Sequence, residues 1–587
     1  MPKLWKLKSQ IPQEKGIEIV NFLLQTPHPV RQSTDHLLPK GEGNLELLSQ
    51  LLYNRGLSNK DQVADFLNPT YEKLHSPFLF KDMQQAVDRI WQAINHREKI
   101  CIYGDYDADA VTANAVLRQT FNFLDVEADS YIPDRFSEGY GVNIEALEKI
   151  AQNGAKIIIT VDCGTNSIDA ADWCKARGID FIITDHHEII GQEPDAYALI
   201  NPKNGNDSYP YREITGVGVA FKLACAILKD PRTKLQVPKY AEGYEKWLLD
   251  LVAIGTVADC HSLLGENRIL VKYGLKVLAK TKWIGLKALA QAGGLDFSQK
   301  LPDTYTLGFV IAPRLNAAGR LEHAGIALDL LLEQNPFLAK EKAARLEQIN
   351  QRRQQLTQTV LSEAKEKAIM LMDRKVLVMV GQGWPKGVMG LVAGRLAEEY
   401  FKPVIVLEQT ENLCTGSART AGEFNLIEAL KFSSEHIVKF GGHKQAAGLT
   451  VEISKFDLFY QKILEHADLH INETNADKVL ELEAELQAFD INVENLEQIK
   501  NLEPFGVGNP KPKFLVKAAK VLSQRQVGTQ SQHLQLNLGL NNSTFSAIAF
   551  NFKPLQITNV DIACELIEDG WNGSKNLKLR IVDVKAS

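Results

Sequence analysis

Residues 99–109 read Lys99-Ile100-Cys101-Ile102-Tyr103-Gly104-Asp105-Tyr106-Asp107-Ala108-Asp109, an apolar run that breaks at glycine and turns acidic. Two later stretches do the same. Residues 156–161 are apolar and β-branched and end at Asp162-Cys163-Gly164; residues 180–184 end at Asp185-His186-His187. Between them, residues 144–152 and 170–176 carry helical periodicity and stop at Gly154 and Gly178. Apolar runs alternating with helices predict βαβ units around a buried parallel sheet. The carboxyl ends of parallel strands share one edge, so the terminal acids should converge there. A fourth acid, Asp259, closes the apolar segment 248–258.

Working outward, the 587 residues predict about four domains at ~150 residues each. Residues 1–80 form an N-terminal extension packed on the next domain. It holds short helices at 45–52 and 61–67, the second ended by Asn68-Pro69. Residues 81–334 are the α/β domain. Residues 335–372, free of glycine and rich in Ala, Glu, Lys, Gln and Leu, make one long helix linking two lobes. Residues 373–455 start a smaller α/β domain, with strands at 375–380 and 403–407, a helix at 389–400, and turns at Gly416 and Gly441-Gly442. Residues 456–587 change character: alternation at 533–538 and 544–550 predicts antiparallel strands and a small barrel of the OB type.

Composition is that of a globular protein, 45% apolar and 24% charged. The net charge of −6 counts mildly against a nucleic-acid partner, although metal-binding carboxylates contribute to it and a basic groove can be local. Seven scattered cysteines without a CxxC pair exclude zinc-finger spacing and a disulfide framework and suit a reducing cytoplasm. No apolar run reaches ~18 residues, and the polar start has no signal core, so no membrane association is expected.

Four or more ionised carboxylates at one sheet edge repel one another unless a cation balances them. Carboxylates with one or two imidazoles suit Mn²⁺ or Mg²⁺ better than zinc. Two such ions about 3.5–4 Å apart would share a bridging carboxylate and activate water. Taken singly, Asp-Tyr-Asp reads as a solvated turn, His-His as structural, and an aspartate after a strand as a helix cap. Their joint placement at segment ends favours the metal reading.

The run 105–109, then Asp162, then Asp185-His186-His187, then Gly255-Thr256-Val257-Ala258-Asp259 resembles the four motifs of the DHH phosphoesterase superfamily. The resemblance implies that Asp107, Asp109, Asp162, His186 and Asp259 ligate two metal ions, Asp162 bridging. It places His187 beside the phosphate and makes Asp105 and Asp185 supports of the ligands. Small-substrate members usually carry histidine where Tyr103 stands, and the tyrosine with Asp105 is similar to the RecJ family of single-strand-specific 5′ exonucleases. So are Gly216–Leu223, Gly265-Glu266-Asn267-Arg268, the long run Pro313–Leu321, Gly416-Ser417-Ala418-Arg419, Gly441-Gly442-His443, Ala446-Ala447-Gly448 and Pro504-Phe505-Gly506 with Gly508-Asn509-Pro510. The likeness covers about residues 80 to 587.

That resemblance implies 5′→3′ digestion of single-stranded DNA to 5′-mononucleotides in recombination and repair, by a monomer acting with single-strand-binding protein and a helicase. Glycines near 416 and 441 can cradle phosphate through backbone N–H groups, with Ser417, Arg419 and His443 bonding it. In the RecJ reading, this lobe, including Gly441 and Gly442, takes the terminal 5′ phosphate. Arg314 and Asn316 read either as structural or as a phosphate clamp. Gln351, Arg352 and Arg353 read as a solvated helix face or as contacts to the DNA backbone. Ala110 stands where the family has glycine, and Ser262 where it commonly has proline. Two alternatives stand beside this reading: a phosphodiesterase of short oligonucleotides or cyclic dinucleotides, and a non-catalytic replication scaffold.

Overall fold

The apolar β-branched runs become the centre of a five-stranded parallel sheet. A computed structural model describes residues 3–25, 43–139, 141–237, 242–471, 478–569 and 576–587. The sheet order is Ala128–Tyr131, Lys99–Gly104, Ala155–Val161, Asp180–Thr184, Ala198–Ile200, with every pairing parallel. The two edge strands are short, and the periodicity did not reveal them. The helices Ile144–Gln152 and Ile168–Ala176 cover one face, where Tyr103, Ile158, Phe181 and Ile183 pack with Leu147 and Ala171.

The described residues divide into two compact units, His75–His261 with Leu270–Lys478, and Lys3–Leu74 with Ser262–Ile269 and Val479–Ser587. In the first unit, the helix Pro336–Ile369 follows the parallel sheet and leads to a second sheet of order Lys439–Gly442, Ala446–Glu452, Leu413–Arg419, Val404–Gln409, Leu377–Gly381. Only the last pair of that sheet runs parallel. The helix Lys386–Tyr400 packs on it through Val388, Val392 and Leu396.

In the second unit, strands Phe514–Val527, His533–Leu540, Ser543–Ala549, Asn576–Ala586 and Asn559–Asp569 close on one another as a five-stranded barrel. The N-terminal segment was expected on the α/β domain. Instead, Ile19, Leu48, Leu52, Val63 and Leu67 share a core with Leu496, Leu534 and Ile562 of the barrel region. Amphipathic periodicity says which face of a helix is buried and not which partner buries it.

Candidate metal centre

Each acid is set by the element that ends or begins beside it. Asp107 caps the helix Ala108–Phe123, its carboxylate accepting from the Ala110 N–H at 3.1 Å. Asp109 is buried one residue inside that helix and accepts from the N–H groups of Gly216 and Val217, each at 2.9 Å. Those donors open the helix Gly216–Lys229, whose N-terminal dipole favours a negative charge. Asp162 follows Ala155–Val161 with φ of 60°, the left-handed region, and its N–H donates to the Thr184 carbonyl at 3.0 Å. Asp259 caps the C-terminus of Leu249–Ala258. A Cβ on Gly216 would lie 2.4 Å from Asp162 Oδ1, and one on Gly319 2.5 Å from the Tyr106 carbonyl. Glycine at those positions lets the neighbouring helices close on the acids.

The histidines divide the work. Asp185 Oδ1 accepts from His187 Nδ1 at 2.7 Å and from the His186 N–H at 2.7 Å, while Oδ2 accepts from the Thr165 N–H at 2.9 Å. Burial alone would raise the Asp185 carboxyl, but these bonds and the two imidazoles outweigh it and hold the group below the usual carboxylate range. Burial likewise works against a charged His187, and the bond to Asp185 prevails, raising that imidazole. His186 Nε2 stands 3.0 Å from Asp162 Oδ1 and 3.6 Å from Asp259 Oδ2, and burial pushes this ring down to about 4.

The remaining carboxyls are under strain. Burial, then repulsion by Asp259, raises Asp107; the same two causes with Asp107 raise Asp109; burial, then Asp109, Asp107 and Asp259, raise Asp162. Burial and Asp107 push Asp105 up to about 7. Burial alone would raise Asp259, but His261, His186 and His187 hold it low. The eight sequence-predicted residues of the four acidic motifs therefore form one electrostatic cluster. The atoms Asp105 Oδ1, Asp162 Oδ1, Asp259 Oδ2 and His186 Nδ1 are buried without a hydrogen-bond partner. Buried oxygen acceptors without donors, with imidazole nitrogens among them, are the donor set of a hard divalent cation.

His261 was missed by the sequence reading. Its Nε2 lies 3.1 Å from Asp259 Oδ2, and its Nδ1 lies 3.1 Å from the Glu213 carbonyl oxygen. With His186 and Asp259 it offers ligand atoms that all lie within 4.8 Å of one another, a set that could hold a metal ion. The available signal was the spacing Asp259-Cys260-His261, two residues past a ligand candidate.

An arginine cluster adjoins the acids. Burial, then repulsion by Arg135, Arg353 and Arg419, pushes the Arg320 guanidinium down to about 10, with Asp107 opposing. Arg135 lies 4.8 Å over the ring of Tyr106, the residue between Asp105 and Asp107. Arg419 is lowered by burial and by Arg135. Arg320, Arg352 and Lys386 line a cavity of about 330 Å³ with Phe136. Grouped guanidiniums of this kind suit a phosphate. Arg135 and Arg320 were not named as site residues from sequence, although Arg320 is the last residue but one of the quoted run Pro313–Leu321.

Other expected residues are placed differently. Arg314 Nε donates to Glu347 at 2.6 Å and Nη1 to the Val310 carbonyl at 2.6 Å, so its charge is already paired with the long helix. Asn316 Oδ1 accepts from the Ala108 N–H at 2.9 Å and so holds the acidic loop. Gln351 donates to Glu347, and Arg352 is exposed. Gly441, Gly442 and His443 form an exposed hairpin end in which the His443 N–H is committed to the Ala446 carbonyl at 2.8 Å. Tyr103 is buried, its hydroxyl donating to the Gly141 carbonyl at 2.9 Å. Ala110 is helical with no positive φ, so the substitution for glycine costs nothing in backbone conformation.

Carboxylates and imidazoles at the carboxyl edge of a parallel sheet, beside a nest of arginines, define a metal-dependent phosphoester hydrolase. Residues 99–256 match the DHH family N-terminal domain, 373–467 the DHHA1 domain and 482–583 the RecJ OB domain. The single-stranded-DNA-specific exonuclease RecJ of Bacillus subtilis is 38% identical over 92% of this chain and 68% of its own length. Its namesake in Haemophilus influenzae is 33% identical over 92% of this chain and 96% of its own. The crystal structure of Thermus thermophilus RecJ with Mn²⁺ superposes with a TM-score of 0.81 at 26% identity, covering 100% of this chain and 80% of that one. The same protein with Mg²⁺ gives 0.75 at 26%, covering 100% and 78%. The chain belongs to the RecJ family of the DHH superfamily. Among the described residues no helix is long and apolar enough to cross a membrane.

Proposed function

We propose that this chain is a metal-dependent exonuclease that digests single-stranded DNA from its 5′ end and releases 5′-mononucleotides. The observation that carries the reading is the juxtaposition of unpaired buried carboxylate oxygens with arginines 135, 320 and 419. Asp107, Asp109, Asp162, Asp259 and His186 would hold two cations, with His261 as an added ligand. Bound there, the ions supply Lewis acidity that acidifies water and neutralises charge on the phosphoryl group.

The residues do the rest. Asp185 fixes the ring of His187 and keeps the proton on Nδ1, so the imidazole presents a set face to the scissile phosphate. Asn316 and the Gly216 N–H hold the acidic loop and Asp109 in register. Arg320, Arg419 and Ser417 would take the terminal 5′ phosphate, which sets direction by fixing the distance from chain end to cut. Residues 81–334 thus carry the chemistry and, with 373–455, the end capture, the two joined by 335–372, while 456–587 grip the strand by stacking and charge.

In the same reading the enzyme serves recombination and repair as a cytoplasmic monomer, on strands opened by a helicase and coated by single-strand-binding protein. Its seven unbridged cysteines accord with a reducing compartment. The test compares a long 5′-phosphorylated strand, labelled at either end, with a dinucleotide. Release of the 5′ label as mononucleotide while the 3′-labelled strand shortens stepwise is expected. Turnover of the dinucleotide alone would refute the exonuclease reading in favour of a small-substrate phosphodiesterase.

A further inference from the structure

The arginine track does not end at the phosphate-facing lobe. Arg353, on the long helix, is repelled by Arg395 and is itself among the charges acting on Arg320. Its side chain is buried, the residue 9% exposed, and its Nε has no hydrogen-bond partner. Its Nη2 reaches only Asn350, an uncharged amide. Arg353, Gln354, Gln358 and Arg395 line a cavity of about 510 Å³ whose apolar wall is Phe309 and Pro313. At the cavity's edge the chain widens into a π-helical turn, Thr306–Ile311, of the kind that recurs at functional sites. Tyr305, which caps that turn, and Phe309 within it are 63% and 69% exposed, with ring centroids 4.8 Å apart and planes 20° apart.

Two exposed, nearly parallel rings leave outer faces open for further stacking. Beside them stand two arginines that form no ion pair with an acid among the described residues, and amides that can bond base edges. We propose that this surface is a second nucleotide-binding subsite, in which Phe309 and Tyr305 stack on bases and Arg353 and Arg395 hold the phosphates between them. The ligand is a single-stranded polynucleotide, because every base offers a π face and every linkage a charge. A free mononucleotide carries the same groups once and would bind weakly. The inference rests on the functional reading above and extends it to a length of strand held away from the metal centre.

The test uses the full chain in EDTA, so that binding is read without digestion. Fluorescence anisotropy with 5′-phosphorylated oligothymidylates of increasing length should show the Phe309→Ala, Tyr305→Ala pair weakened on the order of 10-fold or more on long strands. Phe309→Trp should keep wild-type affinity. Arg395→Gln should flatten the salt dependence by about one ion. Free thymidine 5′-monophosphate should bind wild type and the paired variant alike. With Mn²⁺ restored, dinucleotide hydrolysis should be unchanged in all three variants. Long-strand affinity within about twofold of wild type in the paired variant would overturn the inference and leave the rings to a protein partner. Loss of dinucleotide hydrolysis would also overturn it, by placing the rings at the reacting centre. A wild-type chain that bound no single strand at all would instead refute the functional reading itself.

Discussion

Replacing Gly216 by alanine tests the geometry of the centre without removing any ligand. The added methyl would sit 2.4 Å from Asp162 Oδ1, 2.5 Å from its Cβ and 2.6 Å from its Cγ, where 3.4–4 Å is ordinary contact. Asp162 must therefore move by about 1 Å, or the helix Gly216–Lys229 must retreat by as much, taking with it the N–H that Asp109 uses. Neither move is easy, since Asp162 is buried in a left-handed conformation and tied by its N–H to Thr184. A displacement of this size costs about 100-fold in rate. Crowding of this kind costs about 1–3 kcal/mol of stability. The assay is the initial rate of 5′-mononucleotide release from a 5′-phosphorylated strand at saturating Mn²⁺, with thermal melting to show that the variant is folded. A folded variant within about threefold of the wild-type rate would refute the placement of Asp162 at the reacting centre, given the ~100-fold expected.

Further outcomes follow from the charges. Arg320→Gln and Arg419→Gln should each remove the preference for a 5′ phosphate over a 5′ hydroxyl and lower the slope of log affinity against log salt by about one. Asp185 has a depressed folded-state pKa, so its contribution is present above the unfolded value of ~3.9 and lost as pH falls through the folded value. The stability gap between wild type and Asp185→Asn, from urea melts, should be widest from about pH 5 to 6.5, closing in stronger acid and narrowing at higher pH as the raised His187 imidazole loses its proton. The raised carboxyls have the opposite sign. Asp105, at about 7, with Asp107, Asp109 and Asp162, favours the fold while protonated and loses that as pH rises through the folded values. In EDTA the melting temperature should fall between pH 5 and 8, and Mn²⁺ should reverse the fall, by about 2–4 °C for each kcal/mol.

The central sheet was legible because fully buried parallel strands must be apolar on both faces, as residues 156–161 and 180–184 are, and because each ends in an acid. Those acids could be grouped from sequence since strand ends of one sheet share an edge. The short edge strands Ala128–Tyr131 and Ala198–Ile200 carry too few residues for periodicity to register. Arg135, Arg320 and Arg419 come from three distant segments, and only packing brings their charges together. Arg314 could not be told from a phosphate clamp until Glu347, 33 residues on, was found beside it. The N-terminal helices showed an apolar face, but the barrel that receives it lies at the far end of the chain.

The most direct measurement is a Mn²⁺ titration of metal-stripped protein, read together by calorimetry and electron paramagnetic resonance. About two ions per chain are expected, magnetically coupled through a shared ligand, with loss of the coupling in a folded Asp162→Asn variant. Saturation without coupling, or binding by Asp162→Asn indistinguishable from wild type, would contradict that expectation.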